Sequence, residues 1–215
     1  DASSNELLVD TTLPGTPTIS LVAGDDRVNE DEADAGVAVV GTAEANSTVT
    51  VTWGSTDKVV TADGAGNWST NFTDAQLPAD GSTTISASAE DAAGNTGATG
   101  SRDVAIDRVD PTAVLQSAEV LDDDPGPAVG VPPGGTTDDV TPILQLTLND
   151  VLAAGETLRV YRDGLAVGEA TNSGATVYAY PDALPGAGTY VYTADIVDLA
   201  GNVSTLPLNY SITVI

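Results

Sequence analysis

The sequence predicts an all-β protein built as two β-sandwich domains in tandem, joined by a short linker. Three observations predict it. A five-residue turn occurs twice, as Asp91-Ala92-Ala93-Gly94-Asn95 and, 107 residues later, as Asp198-Leu199-Ala200-Gly201-Asn202, each time ahead of one more strand-like run. Short runs alternate apolar and polar residues at period two, with turn signals about every 8–12 residues. Helical periodicity is almost absent.

Residues 1–9 read as the end of a preceding repeat, 10–107 as the first domain and 108–215 as the second. In the first, residues 16–23 form a strand. The acidic loop that follows holds Asn29 and Glu32 at the spacing of a capping box, which predicts one helical turn. A strand begins at 37–40. Residues 48–53 are the clearest strand: alternation places Val49, Val51 and Trp53 on one face and Thr48, Thr50 and Thr52 on the other. Strands 58–62 and 68–72 flank the turn Asp63-Gly64-Ala65-Gly66-Asn67. Strand 83–89 turns Ile85, Ala87 and Ala89 inward, and 102–106 closes the domain.

The second domain opens with a strand at 112–120. The segment 122–139 carries four prolines and cannot be a central strand. Strand 143–148 buries Leu144, Leu146 and Leu148. Strands 158–162 and 165–170 make a hairpin around Asp163-Gly164. Strand 177–180 is short, strand 190–196 buries Tyr192, Ala194 and Ile196, and strand 206–214 ends the chain. The tryptophans and tyrosines read as core or sheet-face residues, and Asp63, Asp80, Asp163 and Asp182 as turn-formers.

Each half is long enough for one modest core. Lys+Arg is 6 against Asp+Glu 32, a net charge of −26. That argues against nucleic acid and anionic lipid, which need a basic surface. Without cysteine no disulfide joins the sheets, and without histidine the usual general base and zinc ligand are missing. No apolar run reaches the ~18 residues a bilayer span needs. The absence of methionine suggests an interior piece of a longer chain.

Asp outnumbers Glu, 24 to 8. Asp is both the turn-former and a compact ligand for hard cations, so the bias points to loops that hold ions; the plain alternative is an acidic surface adapted to salt. In an immunoglobulin-like topology, Asp25 and Asp26 approach Asp107 at one end of the first sandwich, and Asp91 and Asn95 face Asp10 at the other. Asp198 and Asn202 approach Asp107, Arg108 and Asp110, while Asp138 and Asp139 point toward a following module. Carboxylates gathered on a linker repel unless a cation sits among them. Ca2+ accepts six to eight oxygens in irregular geometry, so it is the expected ion. The candidate ligands are therefore Asp10, Asp25, Asp26, Asp91, Asp107, Asp110, Asp138, Asp139, Asp198 and Asn202. For Asp91 and Asp198 the competing role is a turn aspartate bonding its own backbone. No EF-hand spacing and no Gly-rich calcium repeat is present. Catalysis is not expected: there is no phosphate loop or nucleophile elbow, and the acids fall in turns.

Several segments resemble the bacterial Ig-like extender repeats of giant RTX-type, type I-secreted adhesins. They are Asp10-Thr11-Thr12-x-Pro14, the Gly24-Asp25-Asp26-x-Val28-Asn29-x-x-Glu32-Ala33 loop, Gly41-Thr42-Ala43-Glu44, Asp63-Gly64-x-Gly66-Asn67-Trp68 and Asp91-Ala92-Ala93-Gly94-Asn95-Thr96. Gly135-Thr136-Thr137-Asp138-Asp139-x-Thr141-Pro142, Val160-Tyr161-Arg162-Asp163-Gly164 and Asp198-x-Ala200-Gly201-Asn202-Val203 resemble a sister repeat, though its long 122–139 loop lacks the Asn29-x-x-Glu32 element. The resemblance implies a non-enzymatic, monomeric spacer at the bacterial cell surface, secreted in extended form. Its partners would be neighbouring repeats of the same chain, and external Ca2+ bound at linkers would stiffen it to project a distal adhesion domain in biofilms. Two other readings are a module binding glycan, protein or ice, for which Thr48, Thr50 and Thr52 are a candidate patch, and an accessory domain of a secreted hydrolase.

Overall fold

The computed structural model describes residues 9–124 and 126–215; the expected tail of a preceding repeat, 1–9, lies outside them apart from Val9. The chain divides into two compact units, the first ending at Val109 and the second running from Asp110 to Ile215. Both are immunoglobulin-like β-sandwiches. Among the described residues no helix is long and apolar enough to cross a membrane.

The first unit comprises β1 (Thr18–Ile19), β2 (Arg27–Val28), a helix α1 (Glu30–Ala35), β3 (Val37–Thr42), β4 (Thr48–Trp53), β5 (Thr56–Thr61), β6 (Asn67–Phe72), β7 (Gly81–Glu90) and β8 (Gly100–Ile106). One sheet has the order β1-β3-β6 and the other β2-β8-β7-β4-β5. The capping box forms: the Asn29 side chain accepts from the Glu32 N–H at 2.8 Å, and Glu32 accepts from the Asn29 N–H at 3.1 Å. The alternation in β4 and β7 holds, with Val49, Val51, Trp53, Ile85, Ala87 and Ala89 all buried. Trp53 reaches across to Phe72 of the opposite sheet, edge to face, with ring centroids 5.4 Å apart. This contact joins the sheets where no disulfide is available. The expected strand at 16–23 is only two residues long. Ala23, Gly24 and Asp26 take positive φ, and the Val22 carbonyl accepts from the N–H groups of Asp25 and Asp26, so the chain coils into a turn there.

The second unit comprises β9 (Leu115–Asp122), β10 (Val129–Val131), β11 (Gly135–Thr137), β12 (Ile143–Leu148), β13 (Thr157–Arg162), β14 (Leu165–Gly174), β15 (Val177–Pro181), β16 (Gly188–Val197), β17 (Val203–Thr205) and β18 (Tyr210–Val214). The pairing path is β10-β9-β12-β15-β14-β13-β16-β18-β11, with β17 on β16. It closes one side of the sandwich because β14 changes sheets: residues up to Ala170 pair with β13, and those from Thr171 with β15. Gly168 allows the bend, since a Cβ there would meet the Tyr180 ring at 2.7 Å. The proline-rich segment supplies two short edge strands, β10 and β11, as its lack of N–H donors permits. The expected last strand, 206–214, is broken. Pro207 offers no donor, and Leu208 bonds back to the Leu206 carbonyl at 2.7 Å, so pairing resumes only at β18.

Candidate functional site

Each unit takes the chain in at one end and releases it at the other. In the first, the Asp10 carbonyl accepts from the Asn95 side chain at 3.2 Å, in the turn that follows β7. At the opposite end of β7, Gly81 pairs with Ile106, and the Asp107 N–H bonds to the Val28 carbonyl at 2.9 Å. The ten residues of β7 therefore separate the incoming and outgoing chain by about 30 Å. In the second unit the chain comes in beside Asn149, whose side chain accepts from the Val114 N–H at 2.7 Å at the start of β9. It leaves beside Thr137, which pairs with Val214 and donates to Asp122 at the end of β9 at 2.6 Å.

The candidate ligands sit at these ends. Asp10 and Asp91 line one open depression of about 500 Å³ with Glu44 and Asn46, at the incoming end of the first unit. Asp25, Asp26 and Asp107 lie at its outgoing end, beside the pairing of β2 with β8. Asp198 and Asn202 follow β16 at the incoming end of the second unit, where Asp110 is also the first residue. Asp138 and Asp139 follow β11 at its outgoing end. Among the described residues no three acidic side chains come close enough to make a metal-holding group.

The Asp-x-x-Gly-Asn turn, whose pattern is shared by Asp63–Asn67 as well as by the two turns 107 residues apart, has one geometry in all three places. Asp91 Oδ1 accepts from the N–H groups of Ala93 at 2.8 Å and Asn95 at 2.9 Å, and Oδ2 accepts from the Asn95 side chain at 2.8 Å. Asp198 does the same with Ala200 and Asn202, and Asp63 with Ala65 and Asn67. Gly66, Gly94 and Gly201 take φ of 87°, 86° and 93°, which a side chain would oppose. So Asp91 and Asp198 are turn caps, and any ion would share Oδ2 with the asparagine; Asn202, at 4 % exposure, is buried in that role.

Two candidates have strong partners inside their own unit. Asp26 is clamped by Arg102 through a fork of 2.5 and 2.6 Å. Asp139, at 1 % exposure, accepts from Thr141 N–H at 2.6 Å and Thr141 Oγ1 at 3.0 Å, and from the Asp123 N–H at 3.3 Å, tying down the proline-rich segment. Asp25 and Asp107 cap the N–H groups of Arg27 and Val109.

Arginine pairs are the residues that sequence reasoning passed over. Arg108 reaches Asp74 and Asp80; Arg159 forks onto Asp195, which also takes the Tyr161 hydroxyl. Asp182 is no simple turn-former: it is buried, and accepts from Arg162 at 2.6 and 2.8 Å and from Tyr192 at 2.8 Å. Asp80 likewise serves Arg108 and not its own turn. The available signal was scarcity: among the described residues four of the five arginines have found a carboxylate among the 32 acids.

Several first-unit carboxyls are held below their ordinary pKa: Asp26 by the Arg102 guanidinium, Asp63 by the Asn67 N–H and side chain, and Asp91 by the Asn95 side chain. For Asp80 desolvation pushes upward, but the N–H and guanidinium of Arg108 outweigh it. A folded-state pKa below the unfolded one adds stability above the unfolded value and loses it as pH falls through the folded one. The first unit is therefore expected to melt at progressively lower temperature below about pH 4. A melting series from pH 6 to 2, read by tryptophan fluorescence, checks this; a flat profile would mean these bonds persist equally in the unfolded chain.

Residues 12–108 match the family model of a bacterial Ig-like domain. No curated protein matches the chain. Among solved structures, a Ca2+-stabilized adhesin that helps an Antarctic bacterium reach out and bind ice aligns with 95% of this chain and 49% of its own, at 22% identity and a TM-score of 0.50. A bacterial immunoglobulin-like domain from the M. primoryensis ice-binding adhesin is 34% identical over 45% of this chain and 100% of its own, with a TM-score of 0.38. Fibronectin(III)-like modules of Clostridium thermocellum CbhA align with 96% of this chain and 92% of their own, at 15% identity and a TM-score of 0.52. The chain thus spans about half the length of the Antarctic adhesin structure, and at these identities the first and third likenesses concern the fold.

Proposed function

Because residues 12–108 belong to the bacterial Ig-like domain family, we propose that the chain is a structural extender of a large, secreted bacterial cell-surface adhesin. It would be a non-catalytic monomer whose partners are neighbouring repeats of the same chain. The observation that carries the reading is the end-to-end passage of the chain through each sandwich. A domain whose incoming and outgoing strands lie about 30 Å apart adds its length to a series. One whose termini meet would hang as a side branch.

Calcium stiffening is the finer part of the proposal. The residues present fit such an ion in part. Asp10 and Asp91 share a depression with Glu44, and oxygen-only donors suit a hard cation. The missing oxygens would come from backbone carbonyls or an adjoining repeat. Asp107 and Asp110, together with Asp25, Asp198 and Asn202, are the corresponding donors proposed around the joint. Asp138 and Asp139 would serve the next joint along, although Asp26 and Asp139 first answer Arg102 and the Thr141 loop.

Thermal unfolding in EDTA, in ~10 mM calcium and in equal magnesium tests this. A site with Kd of ~10⁻⁴–10⁻³ M would add roughly 1.4–2.7 kcal/mol at that concentration. A calcium shift that magnesium does not match is expected. Equal shifts in both salts would reduce the aspartates to turn-formers on an acidic surface. Small-angle scattering tests the spacer separately: a maximum dimension no greater than one sandwich would overturn it.

A further inference from the structure

On its upstream side the joint is held by Arg108, one residue past the bond from the Asp107 N–H to the Val28 carbonyl. Arg108 donates its backbone N–H to Asp80 Oδ2 at 3.1 Å and its Nε to Asp80 Oδ1 at 2.7 Å. Its Nη1 reaches Asp74 Oδ1 at 2.7 Å, and its Nη2 the Pro78 carbonyl at 3.0 Å. All four bonds run to the segment between β6 and β7, within the first unit. Isolated exposed ion pairs contribute little, but a multidentate guanidinium that also binds a backbone carbonyl, on a residue whose own N–H is bonded to the same carboxylate, fixes geometry as well as charge. With about three-quarters of its side chain covered, Arg108 is partly shielded from competing water and salt.

The downstream side is restrained by covalent geometry. Pro111 has a fixed φ, and the residue before a proline is confined to extended conformations, which restricts Asp110. Ala113 is already part of the second core. Between the Arg108 clamp and that core, the exposed Val109 and Thr112 lie under neither restraint, although Asp107 accepts from the Val109 N–H at 3.2 Å.

We infer that Arg108 is a positioning residue: by fastening itself to the first unit it extends that unit's ordered chain one residue past Asp107 and leaves the joint's freedom to the few residues from Val109 to Thr112, with no metal required. The inference rests on the spacer reading and assigns part of the stiffness to the chain itself, with calcium acting on what freedom remains.

Backbone 15N relaxation of the 215-residue chain in EDTA tests it, comparing the native sequence with Arg108→Ala and Arg108→Lys. Order parameters at 107 and 108 are expected near those of β8, about 0.85; in Arg108→Ala the value at 108 falls below about 0.6, while 107, bonded to Val28, falls less. Arg108→Lys falls between, since an ammonium cannot supply the fork. Unchanged strand shifts over 81–106 certify that the unit is folded; if Arg108→Ala disturbs them, Asp74→Ala, which removes only the Nη1 contact, takes its place, with a smaller loss expected. Mobile residues 107–108 in the native chain, or equal order parameters in all variants, would overturn the inference. Repeating the series in calcium separates the two ideas. A joint indifferent to calcium but loosened by Arg108→Ala removes the calcium proposal and leaves the clamp.

Discussion

Trp53→Ala is expected to lower the melting midpoint of the first unit steeply while leaving that of the second unchanged. Trp53 is fully buried at the end of β4, and its ring meets Phe72 edge to face across the two sheets. Removing it takes away one of the two largest buried side chains of a core that, apart from Trp68 and Phe72, consists of valines, alanines and isoleucines. Such truncations cost about 3–5 kcal/mol, against a total of about 5–15 kcal/mol for a domain. At roughly 4–8 °C per kcal/mol, the midpoint falls by about 20 °C or more. The composition supplies a clean readout. Both tryptophans belong to the first unit and all six tyrosines to the second, so indole fluorescence reports one sandwich and tyrosine near-ultraviolet dichroism the other. Trp68 remains as the probe. Trp53→Phe is expected to cost much less: it keeps a ring in the gap, and it deletes an indole N–H that finds no acceptor among the described residues. Equal losses for both variants would mean that the inter-sheet contact is not what the ring provides. A tyrosine transition moving with the indole one would mean the two units unfold as a single cooperative block.

Trp53 also shows what was legible in the sequence. Alternation at period two is a local signal, so Val49, Val51, Trp53, Ile85, Leu144, Leu146 and Ile196 could be placed inward from their neighbours alone. The turns were legible for the same reason: Asp91 and Asn95 are four residues apart and solve each other's hydrogen bonding. Strand ends were misjudged where a single residue overrules propensity, at the left-handed Ala23 and Gly24 and at Pro207. Least legible were contacts between residues far apart in sequence, such as Arg102 with Asp26 at a separation of 76 and Arg108 with Asp74 at 34. No local pattern marks which of 32 acids an arginine will meet, because the choice is made by the sheet register. The same reason limits the candidate site. Its residues can be assigned to an end of a sandwich from topology, but whether a carboxylate there answers an arginine, a turn N–H or an ion depends on neighbours the local sequence does not specify.

Asp182→Ala is expected to be the most damaging polar substitution in the second unit. Asp182 is 6 % exposed and sits just past β15, where both oxygens accept from Arg162 and Oδ2 also takes the Tyr192 hydroxyl. Burial, and then the bond to Asp182, hold the Tyr192 hydroxyl protonated well above the ordinary tyrosine range. Arg162 lies over the Tyr190 ring, 5.8 Å from its centroid, so one carboxylate organises a cation and two aromatic strand residues. Breaking a buried pair from one side costs about 3–5 kcal/mol because the remaining charge is stranded. Here Arg162 retains 21% of its side-chain exposure and can recruit water, which reduces the expected loss to about 2–4 kcal/mol. Tyrosine dichroism should report the lower midpoint while indole fluorescence stays unchanged. The pair itself need not stabilise the fold: replacing both members, as Arg162→Met with Asp182→Leu, is expected to recover most of the loss, since the desolvation of two charges disappears along with their attraction. Tyr192→Phe in the double variant removes the hydroxyl that the missing carboxylate orphans, and should recover more. A double variant as unstable as Asp182→Ala would instead assign the cost to the carboxylate's bond with the Ala183 N–H, which holds the turn out of β15 at 2.8 Å.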